Sequence, residues 1–239
     1  MMEVLLVYKW SLFCGALNAA GLSILGAHLA TRDRSLQSLA ISQAASLGVL
    51  LGIAIWGHSH ESFLSHVGPL LLGTGIAALV FQWSDRRGGV TFYLSLYIAL
   101  LAFCYGAIAL LPGLESHLSN AFFGDIVTIS GAELWISIGT ASAALAWFIV
   151  DFKAQTRDSF EIAVFGDDYP SMHSGKARFR WLSLLLLTVS IFSMGLLFTI
   201  AMLFLPTTIL RGSKRQGVRR HLIAVAIAAA MGATLGLLS

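Results

Sequence analysis

The sequence predicts an all-α polytopic membrane protein, a transmembrane bundle of about seven or eight helices with one cytoplasmic loop. Of its 239 residues, 57% are hydrophobic and 11% are charged. In a soluble protein, roughly a quarter of all residues are charged. The charges collect in short clusters between long uncharged runs. A membrane β-barrel would show short alternating segments instead, so each run is predicted to be a helix. This composition excludes a soluble enzyme, a disulfide-stapled secreted module and a disordered chain.

Each predicted span is an uncharged run near the roughly 20 residues that a helix needs to cross a hydrocarbon core of about 30 Å. The runs are Trp10–Thr31, Ser35–Gly57, Ser62–Ser84, Gly88–Leu111, Leu134–Val150, Trp181–Leu210 and His221–Ser239. The sixth run is too long for one straight span and too short for two full ones. We expect it to break near Ser193–Gly195 or at Pro206 into one full and one short helix.

Lysine and arginine predict the orientation, because short loops rich in these residues stay in the cytoplasm. Basic clusters follow the first, third, fifth and sixth runs, at 32–34, 86–87, 153–180 and 211–220. The loops at 57–63 and 112–132 contain neither residue type, which places these loops and the N-terminus outside. Because the basic residues flank apolar segments instead of forming a patch, no nucleic-acid partner is predicted.

Residues 152–180 form the one sizeable loop in what is otherwise a single transmembrane domain, 1–239. Apolar residues occur in its first half at Phe160, Ile162, Ala163 and Phe165. We expect a short amphipathic helix lying along the cytoplasmic face of the membrane. An ordinary solvated linker is the alternative.

Motifs for enzymatic chemistry do not occur, so the chain is not predicted to be an enzyme or to bind a cofactor of its own. It has no G-x-x-x-x-G-K-[ST] loop for nucleotide phosphates, no H-E-x-x-H and no G-x-S-x-G. The one deep histidine, His28, is expected to face a neighbouring helix. Cys14 and Cys104 both lie inside apolar runs, which predicts two buried thiols and no disulfide framework.

The external loops contain the candidate metal ligands, which are His58, His60, Glu61 and His117. Imidazole suits zinc, and the H-x-H-E run could offer two nitrogens and a carboxylate to a passing divalent ion. The alternative is a polar loop that keeps itself hydrated.

Four segments of the chain resemble, in the same order, segments of one transporter family. They are LGAHLATRDRSLQSLAISQAASLGV at 25–49, NAFFGDIVTIS at 120–130, FGDDYPSMHSG at 165–175 and SMGLLFTIAMLFLPTTILRG at 193–212. The first resembles a Gly-bearing helix end, an Arg-containing turn and the start of the second span. The last resembles a Val-Gly-x-Leu-Leu run followed by Leu-Leu-x-x-Pro-Ala. Together they resemble permeases of the zinc/manganese-importing ABC-transporter family, with the chain a divergent and C-terminally short member.

The resemblance implies a permease subunit that lies in the cytoplasmic (inner) membrane, surrounded by lipid, and imports a divalent metal. Its implied partners are a separate ABC ATPase, an extracytoplasmic metal-binding protein and a second permease subunit, identical or different. The missing nucleotide-binding loop fits this division of labour. Residues 156–175 resemble the coupling helix that seats in the ATPase, and the implied contact residues are Phe165, Asp167, Asp168 and Tyr169.

The chain departs from the family at two positions on the second span. Where the family has an Asp and a His that face the transport path, this chain has Leu39 and Gln43, although Ser42 matches. Leucine has no donor atom, and a neutral amide is a poor ligand for zinc or manganese. Two alternatives therefore stay open: the non-conducting or non-metal half of a heteromeric ABC permease, and an unrelated polytopic carrier.

The orientation can be checked with single cysteines at Ser59, Ser119 and Ser213 in a background without Cys14 and Cys104. A membrane-impermeant thiol reagent added outside should label the first two, because their loops contain no Lys or Arg. It should not label the cysteine at position 213. Labelling at 213 from outside would mean that the run 181–210 crosses the membrane once.

Overall fold

The computed structural model describes residues 2–32, 34–56, 63–84, 89–111, 114, 122, 131–165, 175–210 and 218–238. Helices α1 to α9 in these ranges are Met2–Thr31, Ser35–Trp56, Phe63–Ser84, Val90–Leu110, Gly131–Val150, Phe152–Phe165, Gly175–Met194, Leu196–Leu210 and Val218–Leu238. The part of the chain that the structure describes contains no strand. The predicted all-α class is confirmed.

Six of the described helices are long and apolar enough to cross a membrane. The candidate membrane spans within these helices are Tyr8–Thr31, Ser35–Trp56, Ser65–Ser84, Val90–Leu110, Gly131–Val150 and Ala177–Met194. Two shorter apolar helices, Leu196–Ile209 and Arg220–Thr234, accompany them. Helices suit a bilayer because every backbone N–H finds its acceptor within the same segment. Helix α6 is not among these apolar segments and occupies the predicted soluble loop.

The sixth apolar run breaks at Gly195, which lies in the first of the two predicted break points, Ser193–Gly195 and Pro206. Helix α7 ends at Met194 and α8 begins at Leu196, with Gly195 between them at a φ of 85°. Thr199 Oγ1 lies 3.0 Å from Ser190 Oγ, whereas nine residues of a continuous helix would separate them by about 13 Å. The chain therefore bends sharply at Gly195, and Pro206 lies inside α8.

The chain divides into two compact units. The first, unit 1, contains Met1–Ser35, Ile126–Leu186 and Ala201–Ser239, and the second, unit 2, contains Leu36–Asp125 and Leu187–Ile200.

Unit 1 is assembled around α1, which packs against α5, α6 and α9. Trp10 near the start of α1 contacts Trp135 near the start of α5, with ring centroids 5.5 Å apart. At the other end, His28 of α1 stacks on Phe148 of α5 at 5.9 Å. Helices α1 and α5 therefore run parallel, as the basic-residue pattern predicts for two spans that start on the same side. The stacked His28 confirms the expectation that this residue faces a neighbouring helix.

Unit 2 is assembled around α2, which approaches α3 so closely that glycine is needed at the contact. A Cβ atom added to Gly48 would lie 2.6 Å from Gly73 Cα and 2.8 Å from Leu72 O. One turn further along, Gly52 lies against Pro69 in the same way. Small residues at such crossings let two membrane helices approach closely and gain dispersion contacts. On α4, in contrast, only Leu100, Cys104 and Ile108 are buried, at helical spacing.

Replacing Gly48 by Ala should lower the thermal stability of the purified protein in detergent. The new methyl group would meet the α3 backbone, and overpacking of this kind costs about 1–3 kcal/mol. The matched control is Gly75→Ala on α3, where an added Cβ meets nothing within 4 Å. The control should be neutral or slightly stabilising, because alanine favours helix by about 1 kcal/mol over glycine. Equal melting temperatures for the two variants would contradict the close packing of α2 on α3.

Candidate functional site

Helix α2 buries a row of neutral polar side chains inside unit 2, which are Gln37, Ser38, Ser42, Gln43 and Ser46. The three path positions that the family resemblance implies fall on this helix. Ser42 and Gln43 are buried, and Leu39 is half-buried. Ser42 Oγ donates to the backbone oxygen of Ser38 at 2.9 Å, within its own helix. The carbonyl oxygen of the Gln43 side chain has no hydrogen-bond partner among the described residues.

The amide of Gln43 also makes a contact that joins two helices. Its Nε2 donates to Cys104 Sγ of α4 at 3.2 Å, and both side chains are fully buried. The sequence singles out Gln43 but assigns Cys104 only a buried structural role. Nothing in the local pattern relates two residues that are 61 positions apart.

The buried polar side chains that the structure describes in unit 2 are all uncharged. Besides those on α2, they are Ser84, Thr188, Ser190, Ser193 and Thr199. Hydroxyl and amide oxygens can contact a hydrated or neutral solute, but zinc prefers imidazole, thiolate or carboxylate ligands. Within the described ranges, no three His, Cys, Asp or Glu side chains meet in a metal-binding group.

Helix α6 in unit 1 has two distinct faces. Lys153, Arg157, Phe160 and Val164 are exposed, and their spacing of four, three and four residues places them on one side of the helix. We call these four residues the outer face. Phe160 is 69% and Val164 56% exposed, and Arg157 Nε pairs with Glu161 Oε1 at 2.7 Å.

The opposite side of α6, the inner face, consists of Gln155, Asp158 and Ser159, all nearly fully buried. This face is bound by residues at the end of α1. Arg32 Nε donates to Ser159 Oγ at 3.1 Å, and Arg32 Nη2 lies 3.4 Å from Gln155 Oε1. His28 Nδ1 lies 3.1 Å from the same Ser159 Oγ. A single hydroxyl on α6 is therefore shared by two side chains from α1.

Arg32 also contacts α7. Its Cζ atom lies 4.2 Å from the centre of the Phe179 ring, in cation–π geometry. Burial lowers the pKa of Arg32 to about 10, the charge of Asp158 raises it, and the charge of Arg34 lowers it. The guanidinium thus remains cationic at neutral pH, and its hydrogen bonds and the ring offset the cost of removing it from water.

Several predicted site residues lie outside the described residues. These are the external metal candidates His58, His60, Glu61 and His117, and the implied ATPase contacts Asp167, Asp168 and Tyr169. Phe165 is the last residue of α6. These assignments remain predictions. The outer face was not predicted as a unit, although the four-three-four spacing of its members could have indicated that they share one side of a helix.

Comparison with known proteins assigns the chain to a family. The model of the ABC 3 transport family matches residues 6–239, so the chain belongs to this family. It is a membrane component of an ABC transporter, a permease and not an enzyme by itself, and it passes the membrane several times. The predicted resemblance is thereby confirmed.

Among solved structures, the fold is similar to that of PsaBC from Streptococcus pneumoniae in complex with Fab. The TM-score is 0.76 at 20% sequence identity, and the match covers 96% of this chain and 81% of the other. At this identity the likeness shows a shared fold. No curated protein sequence matches the chain.

Proposed function

We propose that the chain is the permease subunit of an importer for a divalent metal, zinc or manganese, in the cytoplasmic membrane. In this proposal the whole chain, 1–239, serves as one transmembrane domain with a cytoplasmic coupling loop at 152–180. A separate ABC ATPase drives it, an extracytoplasmic binding protein delivers the metal, and a second permease subunit completes the transport path.

The exposed outer face of α6 is the observation that carries this proposal. A helix in a soluble loop normally buries its large apolar side chains, yet Phe160 and Val164 are mostly exposed. They stand beside two cations, Lys153 and Arg157, on the same side of the helix. An aromatic residue and an arginine surrounded by polar groups are typical of the centre of a protein–protein interface. This composition suits reversible docking of a soluble partner, and membership of the ABC 3 transport family supports an ABC ATPase as that partner.

The lipid bilayer is a less suitable partner for this face. Helix α6 has 14 residues, among them Lys153, Arg157, Asp158 and Glu161. An interfacial helix places its apolar residues on one side and its cations on the other, whereas in α6 both kinds of residue share the outer face. Phe165 and Tyr169, at and beyond the end of α6, are proposed to extend the docking surface.

The metal part of the proposal is supported by the family resemblance of the sequence and by the external residues His58, His60, Glu61 and His117. Leu39 and Gln43 supply no strong ligand at the path positions. We therefore assign metal handling to the external residues or to a second, different permease subunit.

One observation favours a second candidate function, in which this chain is the non-conducting or non-metal half of a heteromeric permease. Gln43 is fully buried and donates to Cys104, so its amide takes part in packing α2 against α4. A residue committed to a helix contact is poorly placed to replace the water molecules of an ion. Under this alternative the partner subunit supplies the ligands.

The docking surface can be tested with the double variant Phe160→Ser/Val164→Ser. It should lower the amount of ABC ATPase that copurifies from native membranes by about tenfold or more, because it removes the apolar centre of the interface. The ATPase is identified by mass spectrometry. The matched control is Ile149→Ser/Val150→Ser, two residues at the end of α5 that are 74% and 85% exposed. The control should retain the ATPase, and undiminished copurification with the α6 variant would refute the docking surface.

The assignment of the path positions can be tested by restoring the family pair with Leu39→Asp/Gln43→His. Zinc affinity of the purified protein should rise by about tenfold or more, because a carboxylate and an imidazole replace two groups that do not ligate zinc well. The control, Leu39→Asn/Gln43→Asn, adds polarity without either ligand and should not raise zinc affinity. A second test uses a homodimer of the chain in which only His58, His60 and His117 are changed to Ala. Zinc transport at full rate by this homodimer in vesicles would contradict our assignment.

A further inference from the structure

Arg32 is the residue at which three helices of unit 1 are joined. It comes directly after α1, and its guanidinium contacts Ser159 and Gln155 of α6 and the ring of Phe179 of α7. The two polar contacts go to the inner face of α6, opposite the outer face. Any rotation or shift of α6 relative to α1 must therefore stretch bonds to this one side chain.

His28 strengthens the same junction from one turn earlier on α1. Its Nδ1 reaches Ser159 Oγ at 3.1 Å, while its ring stacks on Phe148 of α5 and meets Phe179 edge-on. Since both His28 and Arg32 contact one hydroxyl, Ser159 cannot move without disturbing both. The end of α1 is thus tied to α6 by directional hydrogen bonds and to α5 and α7 by aromatic packing.

The chemistry of the junction depends on arginine. A planar guanidinium can donate to two acceptors in its plane while its face lies on an aromatic ring. A lysine ammonium is a point charge and cannot maintain all three contacts in one position. The half-buried charge is stabilised through these contacts. Because the contacts are directional, they favour one position of α6 over a range of positions.

We propose that Arg32, with Ser159 as its partner, is a positioning residue that transmits movement of α6 to the transmembrane helix α1. This inference rests on the proposed docking of the ATPase to the outer face of α6. Movement of the outer face, at Phe160 and Val164, shifts Gln155 and Ser159 on the other side of the same helix. Arg32 passes this shift on to α1. In this proposal Arg32 itself is not part of the surface that binds the ATPase or of a site for the transported solute.

Hydrogen–deuterium exchange of the full-length chain tests the link without any partner. Arg32→Lys and Ser159→Ala should each raise amide exchange in α6 by about tenfold, because the inner face loses its attachment. Arg178→Lys is the matched control, since Arg178 is exposed on α7 beside Phe179, and it should leave α6 unchanged. Ser159→Ala removes only one hydroxyl and keeps the experiment decisive if Arg32→Lys does not fold.

The same measurement on the complex with the ABC ATPase tests transmission. In the native complex, trapping with ATP and vanadate should change exchange at the end of α1. In the Arg32→Lys and Ser159→Ala complexes the ATPase should still protect the outer face, while the change at α1 falls by about fivefold or more. Unchanged α6 exchange in the free variants, or an unchanged response at α1 in their complexes, would overturn the proposal. If the native chain binds no ABC ATPase, the proposed function fails, and exchange in the free chain alone decides whether Arg32 holds α6.

Discussion

A half-buried guanidinium at the end of α1 is the constraint on which the functional account depends. Arg32 must keep its charge at the membrane boundary, and it does so by hydrogen bonding to Gln155 and Ser159 while lying on the ring of Phe179. These contacts fix the inner face of α6. Because that face is fixed, Phe160 and Val164 are held outward, where a soluble partner can reach them. The exposed outer face and the inner face that Arg32 holds are therefore two sides of one short helix.

The interior of unit 2 follows a different rule. Its central helix, α2, packs on α3 through Gly48 and Gly52 and carries a row of hydroxyl and amide side chains. Gln43 uses its amide nitrogen to bind Cys104 of α4. Neutral polar groups cost much less to bury in a membrane than charged groups do. The buried polar side chains that the structure describes in unit 2 are accordingly uncharged.

The sequence predicted the elements of the fold well, because hydrophobic length and charge clusters directly reflect the bilayer. The excess of arginine and lysine after residue 210 required a break in the sixth run, and Gly195 provides it with a backbone conformation that glycine adopts readily. Counting uncharged residues placed the fifth span at Leu134, whereas α5 begins at Gly131. Glu133 ended the count but is favourable in the first turn of a helix, where a negative charge meets the positive end of the dipole.

The functional contacts were less predictable, because they join residues far apart in the chain. Arg32 was recognised only as an indicator of orientation, since its partners on α6 lie more than 120 positions away. The thiol that binds Gln43 was likewise hidden by sequence distance. The apolar residues of 152–180 predicted a helix there, but which side chains are exposed depends on how α1 binds the other face. Local periodicity can group these side chains on one side of a helix, but tertiary contacts decide that this side is exposed.

The outer face of α6 is proposed to bind the ATPase, and the accessibility of one side chain on this face tests the docking most directly. A cysteine at Phe160, in a chain without Cys14 and Cys104, should react rapidly with a soluble maleimide in the free protein. Bound ABC ATPase should slow that reaction by about tenfold or more, because interface centres exclude water, and it should leave a cysteine at Val150 unaffected. An equal reaction rate at position 160 with and without bound ATPase would contradict the account.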